Sequence, residues 1–340
     1  MAPPISALKN DQYTIGWLYG STDEGTASFH LFDKVHGEPQ HVLGLDRSDA
    51  RKYKLGSVGK HNIVMASTNY DLGPSYAPSA INKLIETFPN IRFFLMIAGN
   101  GGGLANYEVT PACDIRLGDV VVGFNKEKPE RSLVPYSVIL AREEGPTYNA
   151  PPKAMLKALD TLNRDVQNHG PQILATVKDI MDRNPAFEKR EGAIPDIATD
   201  RLFQSDYQHE SYKCEECDTT KLVTPARQPR SENIAVVHQG TIATAGVTVV
   251  DTYTRDRLIR ANPEYLCMDD GLWIMGTQWP CLVIRGVSHY ADSHFNDDWI
   301  SYATLNAGAY AKILLNSLLV YDVRAEPTVI QFIDQNKDKQ

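Results

Sequence analysis

This 340-residue sequence predicts an α/β fold. Two observations carry the expectation. Short apolar runs recur along the chain with helical segments between them, and several of those runs are apolar throughout, as strands buried on both faces of a wrapped sheet are. Length adds a bound, because a chain of this size holds one large domain or two small ones and can bury a sizeable core.

In chain order, strands are expected over residues 13–18, 62–67, 92–98, 119–124, 241–244 and 281–287. Helices are expected over 23–35, 75–88, 152–169, 251–260 and 299–319, the third opened by Pro151 and Pro152, whose missing N–H costs nothing at a helix start. The stretch 184–233 is charged, holds four prolines and lacks sustained periodicity, so it is expected to be a long excursion: a lid, an oligomer arm or a surface insertion. Residues 1–12 and the polar residues 326–340 are expected to be peripheral tails.

Composition narrows the function classes. Thirty-four Lys and Arg against 42 Asp and Glu give a net charge of −8, which leaves no global basic field to hold a nucleic-acid backbone. The start of the chain has neither the basic nor the apolar part of a signal peptide, and no apolar run approaches the roughly 20 residues of a spanning helix. Five cysteines spread over a long chain do not read as a disulfide scaffold. A cytoplasmic protein with reduced thiols is expected.

Four local features could carry chemistry. Gly99-Asn100-Gly101-Gly102-Gly103 follows the apolar run 93–98, and a strand running into glycines lets backbone N–H groups approach a ligand at the carboxyl edge of a sheet. It is neither the dinucleotide fingerprint nor a phosphate loop, whose spacing it lacks. Arg285 through His294 places His289, Asp292 and His294 after another strand, where such folds present acids and bases. Cys267-Met268-Asp269-Asp270-Gly271 sets two carboxylates together, as ligands or as the caps of a helix start. Cys214 and Cys217 have metal-ligand spacing without a second pair, and with His209 as the nearby imidazole a tetrahedral zinc site needs a remote fourth ligand. Spare surface thiols are the expectation there. There is no Gly-x-Ser-x-Gly nucleophile elbow.

Taken together, the segments resemble the purine nucleoside phosphorylase and nucleosidase superfamily, most closely a fungal branch often fused to NTPase and repeat modules. The carrying residues are Tyr13 to Trp17 with Glu24 downstream, Leu55-Gly56, Phe88 to Phe93 into the glycine run, Asp114 to Val122, Asn149 to Pro152, His238 to Thr244, and Pro280 to His294. The likeness spans nearly the whole chain, which is expected to stand alone without the fused modules. It implies a single three-layer α/β domain over about 13–323, nucleoside phosphorylase-like, with a mixed twisted sheet and partial barrel flanked by helices, and a homo-oligomer.

The resemblance further implies cleavage of the N-glycosidic bond of a purine nucleoside or nucleotide, through a transition state in which the sugar carries positive charge. In the nucleosidase branch, similar to methylthioadenosine/S-adenosylhomocysteine nucleosidase, a carboxylate near the end of the first strand activates water, and Glu24 matches that position. Phosphorylases commonly place an arginine before the glycine run, where this sequence has Ile97 and Ala98, so water is the expected nucleophile. Two departures stand out. The proton-donating Asp of the family's Ser-Asp pair is replaced in Ser288-His289, leaving His289 as imidazolium, supported by Asp292, to assist the leaving base. The ribose-clamping Glu of the Met-Glu-Ala motif falls on Gly271, with Asp270 or Asp269 in reach after a shift of one or two residues. Gly99, Asn100, Gly101, Gly102, Thr244, Met268 and Ser288 are the expected substrate-lining positions, and no cofactor or metal is expected. Phosphorolysis, an ATP nucleosidase with Arg47, Arg51, Lys52 and Lys54 as its phosphate-binding cluster, and a nucleoside-sensing module without turnover stand as alternatives.

Overall fold

The computed structural model describes residues 8–40, 53–68, 76–105, 114–137, 149–164, 169–185, 194–209, 214–223, 234–245, 251–262, 264–270 and 278–336, with 230 and 232. Its strands are β1 (Ile15–Tyr19), β2 (Lys34–Val35), β3 (Lys54–Val58), β4 (His61–Ser67), β5 (Phe93–Gly103), β6 (Val120–Gly123), β7 (Leu133–Pro135), β8 (Val237–Ala245), β9 (Tyr265–Asp270) and β10 (Cys281–His289). Its α-helices are α1 (Thr22–Phe29), α2 (Tyr76–Thr87), α3 (Lys153–Leu162), α4 (His169–Arg183), α5 (Thr252–Ala261), α6 (Asp298–Ser317), α7 (Val320–Ala325) and α8 (Val329–Asn336).

The strands form one mixed sheet that partly closes on itself. β5 pairs parallel with β10, β10 antiparallel with β6, β6 parallel with β8, β8 parallel with β9, and β9 antiparallel with β5. That circuit of five strands is the expected partial barrel. From the other edge of β5 the sheet continues through β1, β4, β3 and β2 as an open wing. Trp17, Phe93, Phe94, Leu282 and Ile284 are buried within this sheet's core. Helix α6 lies directly on β5 and β10, and its Ala303, Ala307, Gly308 and Ala311 are fully buried, because only small side chains let a helix settle that close.

Several boundaries differ from the sequence reading for local reasons. The helix expected over 23–35 ends at Phe29, where the His30 N–H turns back to the carbonyls of Ala27 and Ser28, and Lys34–Val35 become β2 by pairing with Ser57 and Gly56. The glycine run is not a loop: β5 continues to Gly103, held by β10 through Gly101 and Gly102 and by β9 through Gly102 and Gly103, with register shifts where the glycines pass. Asp269 and Asp270 end strand β9 rather than start a helix. The polar tail is docked, since α8 anchors through Val329, whose N–H donates to the Ile91 carbonyl and which is buried. Among the described residues, no helix is long and apolar enough to cross a membrane.

The excursion is fastened to the body. Asp119, fully buried at the start of β6, accepts from the Arg230 guanidinium, from His238 Nε2 (3.0 Å), and from the backbone N–H groups of Arg116 (2.9 Å) and Val236 (2.9 Å). Burial alone would push its carboxyl up, but the hydrogen bonds and charges of His238 and Arg230 outweigh it and hold the group at about 2. Asp200 accepts from the Tyr290 hydroxyl and Thr199 from the Trp299 indole (3.0 Å), so the excursion packs against the segment following β10.

Candidate active site

β1, β5 and β10 run parallel, so their carboxyl ends meet at one edge, the place where open α/β sheets bind ligands. Glu24 stands there on the first turn of α1. Ser21 caps that helix by accepting from the Glu24 N–H (3.2 Å), and Glu24 Oε2 returns the contact by accepting from Ser21 N–H (2.9 Å) and Gly20 N–H (3.0 Å). Its other oxygen, Oε1, accepts from the Gly99 N–H of β5 (3.0 Å). Only 4% of Glu24 is exposed, so its carboxylate is withdrawn from bulk solvent. Three N–H donors hold the carboxylate in place, and a carboxylate has about four acceptor sites, which leaves one for a water or a substrate hydroxyl.

Gly99 and Gly102 are glycines because of what crowds them. A Cβ at Gly99 would run into the Thr304 hydroxyl and the Ile300 carbonyl of α6. At Gly102 it would stand 2.9 Å from His289 Cε1 and 3.1 Å from the Ala291 Cβ, so the missing side chain is what lets the imidazole lie against the strand. Ala291 itself has φ 51°, a left-handed backbone that turns the chain sharply after β10.

His289 ends β10 and stacks on Phe295, ring centroids 4.2 Å apart. Its Nδ1 accepts from the Ala291 N–H (3.1 Å), which places the ring proton on Nε2, and that N–H donates to the Asn100 carbonyl at 3.3 Å. In this arrangement Nδ1 serves as an acceptor rather than as the second N–H of the expected imidazolium. A second ring proton would meet the Ala291 N–H head on, and Asp292 is engaged elsewhere: Oδ2 takes Arg255 Nη1 (3.1 Å) and Oδ1 the His294 N–H (2.9 Å). Burial pushes the Asp292 carboxyl up, against the pull of these two partners.

The ribose-clamp expectation also changes. Asp269 is 3% exposed and forms an ion pair with Arg285 Nε in the adjoining barrel wall. Asp270 closes β9 opposite Ala245, and its side chain lies outside the described residues, as does Gly271. Thr244, Met268 and Ser288 are all buried close to this edge, and the hydroxyls of Thr244 and Ser288 have no hydrogen-bond partner among the described residues. Of the basic cluster, Arg47, Arg51 and Lys52 lie outside the described residues, while Lys54 begins β3 and is exposed. A cavity of about 540 Å³ opens at the opposite end of the strands, lined by Arg92, Pro280, Asp322 and Phe332 among others, and gathers none of these groups.

Arg285 and Arg255 escaped the sequence reading as working residues. For Arg285 a signal exists, since a lone charge inside the run Cys281 to Val287 demands a buried counter-charge. For Arg255 there is none, because its partner arrives from a distant turn.

The closed five-strand circuit and the open wing form an α/β fold shared with solved nucleosidases. Solved structures share it: 5′-methylthioadenosine/S-adenosylhomocysteine nucleosidase from Neisseria meningitidis, in complex with methylthio-immucillin-A, matches with TM-score 0.51 and 15% identity over 90% of this chain and 99% of that one. The corresponding nucleosidase from Colwellia psychrerythraea 34H, in complex with adenine, matches with TM-score 0.51 and 13% identity over 92% and 98%. In sequence, a nucleotide-binding leucine-rich repeat (NLR)-like protein of Hyaloscypha variabilis is 29% identical over 317 residues, 91% of this chain, and this chain spans 30% of that relative's length. No protein-family model matches the chain.

Proposed function

We propose that the protein is a purine N-ribosyl hydrolase that releases free base from a nucleoside or nucleotide. The observation that carries this reading is the buried Glu24 carboxylate, held by the β1 turn on one oxygen and by the Gly99 N–H on the other. The solved nucleosidases that share the fold are held with adenine or with methylthio-immucillin-A, which supports a purine nucleoside as the ligand class here.

In this mechanism Glu24 takes a proton from water, the water oxygen bonds to C1′, and the C1′–N9 bond breaks with its electron pair leaving on the purine. A general base so placed contributes about two to four orders of magnitude. His289, at the end of β10, lies against β5 at the Asn100 carbonyl and opposite Gly102. Glu24 meets the same strand at Gly99, about 10 Å from Gly102 at the usual rise per residue. The 3.3 Å bond to Asn100 is long, so Nε2–H can be redirected to a purine nitrogen. A neutral imidazole lends a hydrogen bond there, not a proton; the purine anion recovers the proton that Glu24 took from water. The buried hydroxyls of Thr244 and Ser288, without a hydrogen-bond partner among the described residues, offer further polar contacts at this edge.

A second reading has its own observation. With Asp269 tied to Arg285 and His289 held as a hydrogen-bond donor, the site keeps a candidate nucleophile-activating carboxylate but offers no strong leaving-group acid among the described residues, which suits a module that binds a nucleoside without turning it over. Incubating the protein with a panel of purine nucleosides and nucleotides, with and without phosphate, separates the readings. Free base formed without phosphate is expected. Base release that requires phosphate would establish phosphorolysis instead, and saturable binding without free base would establish sensing.

A further inference from the structure

The excursion and the turn after β10 bring together four side chains of metal-binding type. His209, Cys214 and Cys217 come from the excursion and His294 from the turn, and one ligand atom from each lies within 4.8 Å of all the others. Cys214 Sγ is 4.0 Å and Cys217 Sγ 3.6 Å from His294 Nδ1. With metal–sulfur bonds of about 2.3 Å and metal–nitrogen bonds of about 2.0 Å, a tetrahedral zinc site has sulfur-to-nitrogen edges of about 3.5 Å. The Cys217 edge already has that length. Cys217 is 7% exposed, so the surface-thiol expectation does not hold for it.

The surroundings of the rings point the same way. His294 Nε2 donates to the Tyr207 carbonyl (3.1 Å), which leaves Nδ1 bare and turned to the two sulfurs; a backbone carbonyl on the far nitrogen is how metal-ligating imidazoles are commonly oriented. The His294 ring is clamped between Phe203 and Tyr207, at 4.1 and 5.2 Å, and its backbone N–H is held by Asp292. His209 is fixed through its backbone N–H to Ser293 Oγ (3.0 Å), and its Nε2 is buried without a hydrogen-bond partner among the described residues. A buried imidazole nitrogen left bare beside two thiols is costly unless something binds it.

We propose that His209, Cys214, Cys217 and His294 form a structural site for a zinc-class divalent cation that fastens the excursion to the turn after β10. Two sulfurs and two imidazole nitrogens select zinc over the hard cations that prefer oxygen, and four protein ligands close the coordination sphere, so the ion is structural rather than reactive. The ion closes a chain loop from residue 217 to residue 294, and it sits one residue before Phe295, the ring on which His289 stacks. The site thus ties the ordering of the excursion to the placement of His289, and it stands whether or not the nucleosidase reading does.

The full chain, expressed with zinc in the medium and freed of loose metal, is expected to carry about one zinc per molecule by elemental analysis. Cobalt(II) in its place is expected to give the intense visible bands of a tetrahedral ion and a thiolate charge-transfer band in the near ultraviolet. Cys217→Ser and His209→Ala are each expected to lower zinc affinity at least about tenfold, and stripping the wild type with a strong chelator to lower its melting temperature, with zinc restoring it. Since the cysteine variant can fail by misfolding, the wild type supplies the deciding readings. Absence of bound zinc together with a cobalt spectrum lacking thiolate bands would overturn the proposal, as would a Cys214–Cys217 disulfide found by thiol counting in freshly isolated protein.

Discussion

The Glu24 carboxylate joins two strands: its Oε1 accepts from Gly99 N–H at the glycine run of β5, and its Oε2 accepts from the turn that follows β1. One side chain therefore serves as a helix-capping group and, on the reading above, as the general base. Replacing Glu24 by Ala is expected to lower base release by about two to four orders of magnitude. Glu24→Gln keeps the size but sets an NH2 against at least one backbone N–H, so it is expected to lose activity and also about 1–3 kcal/mol of stability. Single-turnover release of free purine, read beside a denaturant titration, checks both. Full turnover in either variant would remove Glu24 as the base.

On the proposed nucleosidase reading, His289 would offer the purine a hydrogen bond through Nε2 and no spare proton, because the Ala291 N–H occupies Nδ1. A carboxylic acid at this position has a proton to give. His289→Asp is expected to raise the rate of base release at least about tenfold at mildly acidic pH, whereas His289→Ala lowers it. A drop of equal size in both variants would show that the imidazole hydrogen bond is the whole contribution.

Barrel strands β5, β6, β8 and β10 were legible, because largely apolar runs such as 93–98 and 281–287 have no other comfortable environment than a sheet covered on both faces, and β9 was not. What escaped was whatever depends on a distant partner. The glycine run reads as a loop until β9 and β10 arrive to pair with it, and Asp269 reads as a free acid until Arg285 faces it from a neighbouring wall of the barrel. His294 illustrates the same point: its 85-residue separation from His209 hid a juxtaposition that only the fold creates. Glu24 could be singled out because its position relative to Gly16-Trp17 is local, and the fold buries it at the carboxyl edge of β5.

Asp119 makes stability depend on acidity. Its carboxyl is lowered from 3.8 to about 2 in the folded chain, so the ionised form is favoured by folding. The stabilisation, about 2 kcal/mol, is fully present above the unfolded value and is lost as pH falls from about 4 through about 2. Asp119→Asn is expected to cost about 3–5 kcal/mol at neutral pH, because it leaves the Arg230 charge without its counter-ion. The difference between wild type and variant in denaturation midpoint should shrink across that acid window. A difference that stays constant from pH 6 to about 2 would show that Asp119 is not the titrating group.

Asp269 distinguishes a sugar clamp from a structural ion pair. A clamp predicts that Asp269→Asn weakens substrate binding and leaves stability alone. The ion pair with Arg285, both groups almost wholly buried, predicts the reverse: loss of the Asp269 charge takes a counter-ion from the buried guanidinium and costs about 3–5 kcal/mol. Replacing both, Asp269→Leu with Arg285→Met, removes the buried charge as well and is expected to recover part of that loss, so the two substitutions will be non-additive. Thermal denaturation of the two single variants and the double variant gives the coupling directly. Coupling near zero, accompanied by a raised KM in Asp269→Asn alone, would return Asp269 to the sugar.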